Sequence, residues 1–229
     1  DFSQGGCQAP AAYGGWDYAK IMRDIDALIP YNIGGNQEVV RSFGYGVRNL
    51  SPFFGDDQRL VRGLWYAYIH GDAGVVFWDA DEERGRFVTR PDGKKSNRGK
   101  VLGPALREIR SGIAQQFKAW TRSDEPIGML YSQPSVRAHW MLEAMTLYGK
   151  DEWIKRDSYV SRYADVRVAW QELIEDRQVQ YSYFSYLTVD EGSEDLNRYR
   201  LIVLPETLAI SSRLATKLRD FVEQGGVLV

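Results

Sequence analysis

The sequence predicts an α/β protein whose strands run parallel, and three observations support this fold class. Helix-like and strand-like patterns alternate along the chain, as they do in repeated β/α units. Strand-like segments such as Gly74–Asp79 (GVVFWD) are apolar almost throughout, which is typical of strands covered by helices on both faces. The composition changes after the SDEP stretch at 123–126, which favours two domains in 229 residues.

The first half of the chain predicts consecutive β/α units followed by a long polar loop. The helix Asp57–His70 begins at acidic residues, which suit the positive end of a helix, and carries Leu60, Leu64 and Ala67 on one face. Residues 80–100 are too polar and too long for a plain connection, so we predict an active-site or interface loop there. The predicted elements are helix Trp16–Arg23, strand Ile25–Tyr31, helix Asn36–Phe43, strand Val47–Phe54, helix Asp57–His70 and strand Gly74–Asp79.

The second half predicts a connecting helix and then a doubly wound parallel sheet. The connecting helix is amphipathic, runs to Trp120 and is predicted to have Pro104 in its first turn, where a missing N–H does no harm. The last predicted helix, Ser211–Gln224, has a serine at its start and a glycine after its end. The remaining predictions are strand Ile127–Tyr131, helices Trp140–Leu147 and Val166–Ile174, strands Val179–Phe184 and Leu201–Leu204, and a strand at the end of the chain.

The composition narrows the classes of function. The formal net charge is −2 and the basic residues are scattered, so the chain lacks the electrostatic footprint of a protein that binds nucleic acid or an anionic membrane. The single cysteine, Cys7, excludes an intrachain disulfide and a multi-cysteine zinc site. With His70 and His139 as the only histidines, we expect no metal and no cofactor. The 13% of aromatic residues suit sugar stacking, and they suit a large core equally.

Both ends of the sequence suggest an excerpt of a longer protein. The N-terminal stretch DFSQGGCQAP has neither an initiator Met nor a signal-peptide core, and no apolar run is long enough to cross a bilayer. The chain stops at Val229, inside a predicted strand. We therefore expect further sequence on both sides.

Several stretches, taken in order, resemble a known family. They are GGCQAPAAYGGWDYAKI, DALIPYNIGGNQEVVRSF, GLWYAYIHGDAGVVFWD, IGMLYSQPSVRAHW and RYRLIVLPETLAISSRLATKLRDFVEQGGVLV. This order resembles the family forty-two type of glycoside hydrolases, the β-galactosidase-like enzymes. The resemblance implies the C-terminal part of a TIM barrel in residues 1–101, a connecting helix and linker in 102–124, and a trimerisation domain of flavodoxin-like or class I glutamine-amidotransferase-like type in 125–229. It implies a homotrimeric parent enzyme that hydrolyses terminal sugars of oligosaccharides.

The resemblance also implies where the carbohydrate substrate binds. In a TIM barrel the active site lies at the C-terminal ends of the strands. Asp56 and Asp57 have an alternative role as helix-capping residues, and Trp78 has one in the core. By the resemblance, the predicted substrate-binding residues are Gln8, Tyr13, Tyr31, Asn32, Asp56, Asp57 and Trp78.

Glycoside hydrolysis normally needs two carboxyl groups. The resemblance places the acid before Asp1 and the nucleophile after the Val47–Phe54 strand, but that strand runs into FFGDD, which contains no Glu. Glu38 and Asp79 are the catalytic candidates within the chain. Glu38 has an alternative role in complementing the helix dipole. Because the barrel is incomplete and holds at most one of the two carboxyl groups, we expect the 229 residues alone to be inactive.

Two other functions are weighed against the hydrolase. One is a noncatalytic carbohydrate-binding or oligomerisation protein with a degenerate barrel site. The other is an amidotransferase, which is disfavoured because the turns after Tyr131 and Leu204 carry no cysteine nucleophile. The turn Ser132–Ser135 remains a possible anion site at a helix N-terminus.

Four aromatic residues are candidates for a subunit contact in the trimer. Aromatic side chains are enriched at interfaces, and packing inside the domain's own core is the alternative. The four residues are Trp140, Trp153, Tyr159 and Tyr163.

Overall fold

Two sheets of parallel strands form the framework of the protein, as its computed structural model shows. The first sheet has its strands in chain order, β1 (Phe2–Gln4), β2 (Ala27–Ile29), β3 (Arg48–Phe53) and β4 (Gly74–Phe77). The prediction of an α/β fold with parallel strands is thereby confirmed. The structure describes residues 2–4, 17–30, 34–43, 46–53, 57–77, 88–120, 125–144 and 162–229.

The helices of the first half match the predicted order. Helix α2 has the predicted bounds, and the predicted buried face of α3 is confirmed, since Leu60, Leu64 and Ala67 are each at most 2% exposed. None of the helices in the described ranges combines the length and apolarity needed to cross a membrane. The helices are α1 (Tyr18–Ile21), α2 (Asn36–Phe43), α3 (Asp57–Ile69), α4 (Asn97–Glu108) and α5 (Ala114–Ala119).

The connecting helix begins earlier than predicted. Ser96 caps α4, with its Oγ accepting a hydrogen bond from the Gly99 N–H at 3.0 Å, so Pro104 lies inside the helix and not in its first turn. The serine cap supplies an acceptor to an N–H group at the helix start that has no partner within the helix. The stabilisation from this cap outweighs the cost of a proline in the helix interior. A π-helical turn, Ile109–Ile113, joins α4 to α5 and contains Gly112 at φ 126°, so the two helices are kinked relative to each other.

The second sheet is doubly wound. Its central strand β5 (Ile127–Tyr131) pairs with β6 (Tyr181–Ser185) on one side and with β7 (Leu201–Val203) on the other, and β8 (Val227–Leu228) pairs with β7. The sequence predicted β5 with its observed bounds. Its helices are α6 (Gln133–His139), which continues as a π-helical turn at Trp140–Ala144, α7 (Arg162–Asp176), α8 (Tyr186–Glu191) and α9 (Ser212–Glu223), with a short 3₁₀ turn at Leu196–Arg198.

One apolar core is shared by the two halves of the chain. Helices α1 and α2 lie against the face of the second sheet, so side chains from before residue 44 pack directly on strands β5 and β6. Its fully or nearly fully buried members are Tyr18, Ala19, Met22, Leu28, Val39, Val40, Phe43, Met129, Tyr131, Ile174, Tyr181, Tyr183 and Val203. The opposite face of the second sheet is covered by a separate core that includes residues of α9.

A buried polar cluster joins α2 to the first sheet. The Gln37 side chain donates to Ser51 Oγ at 3.0 Å and to Asp72 Oδ2 at 2.8 Å, and Ser51 Oγ also donates to Asp72 Oδ2. Asp72 Oδ1 has no hydrogen-bond partner among the described residues. Burial raises the pKa of Asp72 to about 6, although the hydrogen bonds from Ser51 and Gln37 act in the opposite direction. The carboxyl group therefore binds a proton more readily in the folded protein than in the unfolded chain.

We expect Met129→Ala to lower the free energy of unfolding by about 2–5 kcal/mol, because it leaves a cavity in the shared core. Met129 is fully buried, whereas Met141 is 62% exposed. The matched variant Met141→Ala should therefore change the free energy by less than about 0.5 kcal/mol. Urea unfolding followed by far-UV circular dichroism measures both values. Equal losses in the two variants would contradict a core at this position.

We expect the free energy of unfolding of the wild-type protein to contain a contribution from Asp72 that falls as pH rises from about 4 to about 6. The variant Asp72→Asn should lack this contribution. The folded pKa lies above the unfolded value of 3.8, so in this window the folded state holds a proton that the unfolded state has released. The wild-type free energy of unfolding should therefore fall, relative to that of the variant, by on the order of 2 kcal/mol across the window.

Urea unfolding at a series of pH values measures this difference. Asp165→Asn is the matched control, because Asp165 is exposed on α7. Parallel pH profiles for the wild-type protein and Asp72→Asn would refute the assignment.

Candidate functional site

Glu38, one of the two catalytic candidates, lies in the first turn of α2 and is 2% exposed. Its Oε2 accepts a hydrogen bond from Arg41 Nε at 2.7 Å, and its Oε1 contacts His70 Nδ1. His70 directly follows the last residue of α3 and stacks on the Tyr66 ring, with 3.9 Å between centroids. Both carboxylate oxygens of Glu38 are therefore engaged by side chains of the protein.

Arg41 carries this network across to the second sheet. Its guanidinium donates to the carbonyl oxygen of Tyr181 at 3.0 Å and lies 3.4 Å from the Glu125 carboxylate. Burial acts to lower the pKa of Arg41, but the negative charges of the nearby Glu38 and Glu125 carboxylates, with the hydrogen bond to Glu38, contribute to a net pKa that is raised. Burial also raises the pKa of the Tyr181 hydroxyl, and the negative charge of Glu38 raises it further. The network therefore stays charged on Arg41 and neutral on Tyr181 around neutral pH.

Of the other predicted site residues, only Asp57 lies within the described ranges. Asp57 is the first residue of α3. Strands β2, β3 and β4 are parallel neighbours, so their carboxyl ends, Ile29, Phe53 and Phe77, lie along one edge of the first sheet. The predicted residues outside the described ranges are Gln8, Tyr13, Tyr31, Asn32, Asp56, Trp78 and Asp79.

The turn after β2 is held by a helix that sequence reasoning did not connect with the site. Gly34 and Gly35 have φ values of 61° and 72°, which glycine adopts readily. Arg167, on α7, donates from Nε to the Gly34 carbonyl oxygen at 2.5 Å and from Nη2 to Asn36 Oδ1 at 2.8 Å. Arg167 and Gln171 are four residues apart on α7, so both side chains lie on the same face of the helix. This spacing was the only feature of the sequence that pointed to a shared role for the two residues.

The turn that was considered as an anion site is occupied by the protein's own chain. Ser132 Oγ accepts from the Ser135 N–H, as an N-cap, and donates to the Ala209 carbonyl oxygen at 3.0 Å. Ser135 Oγ lies 3.0 Å from the Ala209 N–H and accepts from the Leu208 N–H. The segment after β7 thus engages both serine hydroxyls of this turn, which disfavours the anion-site alternative.

Two of the four aromatic candidates for a subunit contact lie within the described ranges. Tyr163 is 1% exposed within its own chain and packs against Arg167 and His139, so for this residue the prediction of a surface contact is wrong. Trp140 is partly buried, and Trp153 and Tyr159 lie outside the described ranges. In the part of the chain that the structure describes, no group of three His, Cys, Asp or Glu side chains is arranged to hold a metal ion.

Comparison with known proteins gives a family match and a fold match. A family model described as "Beta-galactosidase trimerisation domain" matches residues 186–229. The β-galactosidase from the psychrophilic Marinomonas ef1 is similar with a TM-score of 0.64 and 17% identity, over 99% of this chain and 38% of that one. The cold-adapted β-galactosidase from Rahnella sp. R3 is similar with a TM-score of 0.63 and 15% identity, over 93% of this chain and 34% of that one. No curated protein matches the chain.

The family model shows a similarity in sequence, and the solved structures show a similarity in fold. The chain spans less than two fifths of the length of either solved structure, and at such identities the structural similarity shows the fold alone. The family model supplies the link in sequence, at residues 186–229. The resemblance of this chain to the β-galactosidases of glycoside hydrolase family forty-two type is therefore confirmed, through the trimerisation domain and through the fold of nearly the whole chain.

Proposed function

We propose that the chain is part of a β-galactosidase-like glycoside hydrolase that removes terminal sugar residues from oligosaccharides. The observation that carries the proposal is the match of residues 186–229 to a β-galactosidase trimerisation domain, in a chain that shares the β-galactosidase fold along 99% of its length. The same match supports a homotrimer as the state in which the protein works. The composition agrees with a neutral partner such as a sugar, because the net charge is only −2.

The proposal includes a specific architecture for the two halves. Residues 1–101 would form the C-terminal part of a TIM barrel, since strands β1 to β4 are parallel neighbours in chain order. Residues 102–124 would connect this part to a flavodoxin-like domain at 125–229, and the order β6–β5–β7–β8 is the start of such a doubly wound sheet.

The proposed sugar site lies at the carboxyl edge of the first sheet. In a TIM barrel this edge carries the active site, and β2, β3 and β4 all end along it. The proposed binding residues follow directly, with Tyr31 and Asn32 after β2, Asp56 and Asp57 after β3, and Trp78 after β4. We propose that Gln8 and Tyr13 reach the same edge from the preceding loop.

We propose that Asp79, which follows β4 by two positions, is one of the two carboxyl groups of the reaction. The second would come from a part of the protein that this chain does not span. One carboxyl group protonates the leaving oxygen, while the other attacks the sugar or activates water.

Glu38 is the other catalytic candidate, and its contacts support a different role. A catalytic carboxylate must face the substrate, but both oxygens of Glu38 are taken by Arg41 and His70. The network links α2 to α3 and to β6, so an ion-pair role in holding these elements together competes with catalysis. Glu38→Gln distinguishes the two roles, because an ion-pair role predicts a loss of stability and a catalytic role predicts a loss of kcat.

One observation favours a second candidate function. Strand β3 is followed by Phe54, Gly55, Asp56 and Asp57, with no glutamate where the resemblance places the nucleophile. A noncatalytic carbohydrate-binding or oligomerisation protein would keep the proposed sugar-binding aromatic residues, Tyr31 and Trp78, and would lack this nucleophile. Sugar binding without turnover would support this alternative.

In the full-length protein, we expect Asp79→Asn to lower kcat for an aryl galactoside by about 10²-fold or more, because it removes an ionisable group from the reaction. Asp24→Asn is the matched control, because Asp24 is exposed and precedes β2, at the end of the strands away from the proposed site, and it should leave kcat unchanged. Release of the aryl group measures both. Wild-type kcat in Asp79→Asn would refute the role of Asp79, and absence of turnover in the wild-type protein would refute the hydrolase.

We expect Glu38→Gln to lower the free energy of unfolding by on the order of 3 kcal/mol, because the largely buried Arg41 cation loses its nearer carboxylate partner and keeps the more distant Glu125 at 3.4 Å. Glu172→Gln on the exposed side of α7 is the matched control and should change it by less than about 0.5 kcal/mol. Urea unfolding and kcat are measured on the same preparations. A large loss of kcat with wild-type stability would instead establish Glu38 as catalytic.

A further inference from the structure

The Gly34–Gly35 turn, which follows the proposed sugar-binding residues, is held by a helix from the other half of the chain. Besides the bonds from Arg167, the Gln171 side chain donates from Nε2 to the Gly35 carbonyl oxygen at 3.0 Å. The same Nε2 lies 2.7 Å from the Tyr183 hydroxyl on β6. The turn is thus tied to α7 and, through Gln171, to the second sheet.

Arg167 is a buried cation whose hydrogen bonds go to this turn and to the start of α2. It is 1% exposed, and among the described residues none of its contacts is a carboxylate. Its guanidinium is held by the Gly34 carbonyl oxygen, by Asn36 Oδ1 and by the Tyr163 ring, whose centroid is 5.6 Å from Cζ. Burying a charge is costly unless hydrogen bonds compensate for it. The acceptors of the turn provide that compensation, so the position of the turn and the burial of Arg167 depend on each other.

The backbone of the turn lies in close contact with the Gln171 side chain of α7. A Cβ atom on Gly35 would lie 1.9 Å from Gln171 Oε1, and the φ of 72° would strain any other residue. Glycine at this position lets the backbone approach the helix closely enough for its carbonyl oxygen to accept from Gln171. The turn is therefore fixed both by hydrogen bonds and by close contact.

We propose that Arg167 and Gln171 are positioning residues for substrate binding, which fix the Gly34–Gly35 turn that follows the proposed binding residues Tyr31 and Asn32 in the chain. The inference rests on the proposed function, in which Tyr31 and Asn32 bind the sugar. Only one residue, Ile33, separates Asn32 from the turn, so a displacement of the turn passes directly to the binding residues. The second half of the chain then shapes the site without supplying a group that touches the sugar.

Two variants of the full-length protein test the inference. Arg167→Lys keeps the charge and loses the fork that spans Gly34 and Asn36, and Arg177→Lys, at an exposed position just after α7, is its matched control. Gln171→Glu is nearly isosteric and replaces the donor to Gly35 by an acceptor, and Gln116→Glu on the exposed side of α5 is its control. Both test variants and both controls are compared with the wild-type protein.

Two readouts are needed, hydrogen–deuterium exchange of a peptide that covers residues 27–37, and the kinetics of an aryl galactoside. We expect exchange in this peptide to be about tenfold faster in each test variant, because each variant loses roughly one hydrogen bond that holds the turn. KM should rise about tenfold, while kcat should change little, because the proposed catalytic Asp79 follows a different strand. Both controls should behave as the wild-type protein does.

The outcomes separate this inference from the proposed function. Wild-type exchange in both variants would show that α7 does not fix the turn, and faster exchange with unchanged KM would show that the turn does not position the substrate. If kcat falls and KM does not rise, the two residues act on the chemistry and not on binding, and the inference is wrong. A wild-type protein without galactoside turnover would refute the proposed function and the sugar-binding part of the inference, while the exchange measurement would still decide whether α7 fixes the turn.

Discussion

The structure depends above all on the burial of helix α2 between two sheets. The helix is only eight residues long, a length at which an isolated helix is unstable in water, so its stability comes from the packing of its neighbours. Val39 and Val40 are fully buried, and they belong to the core that also contains strands of the second sheet. Because the helix is covered on more than one side, its polar residues are buried along with its apolar ones. Each of them must find a partner inside the protein.

These buried polar residues explain how α2 is held in one position against the second sheet. Apolar packing is non-directional and would allow α2 to slide or rotate against the second sheet. The charged network of Glu38, Arg41 and His70 and the hydrogen bonds from Gln37 require specific positions of α3, β3 and β6. The bonds of Arg167 fix the start of α2 in the same way. The apolar core thus provides most of the stability, and the polar contacts select one arrangement.

Local signals in the sequence were sufficient for most of the helices and strands and insufficient for the contacts between them. The bounds of α2 and β5 were predicted as observed, because apolar spacing and flanking polar residues are local features. Helix α8 was not predicted, since six residues directly after a strand give too short a pattern. Arg41 is three residues from Glu38 and was within reach of sequence reasoning. Arg167 lies 133 residues from Gly34, and no local pattern could have joined them.

The same comparison explains why Glu38 was chosen as a catalytic candidate. A glutamate shortly after a strand is at the edge where a TIM barrel carries its chemistry, but the distance along the chain does not say which way the side chain points. Glu38 lies nine residues after Ile29, in a helix, and its carboxylate reaches His70 at the end of the next helix. Tyr31 and Asn32 follow β2 much more closely, and the turn after them is fixed by Arg167. The direction of a side chain near a strand end is therefore set by contacts with distant parts of the chain, such as that of Glu38 with His70, and the distance along the chain does not determine it.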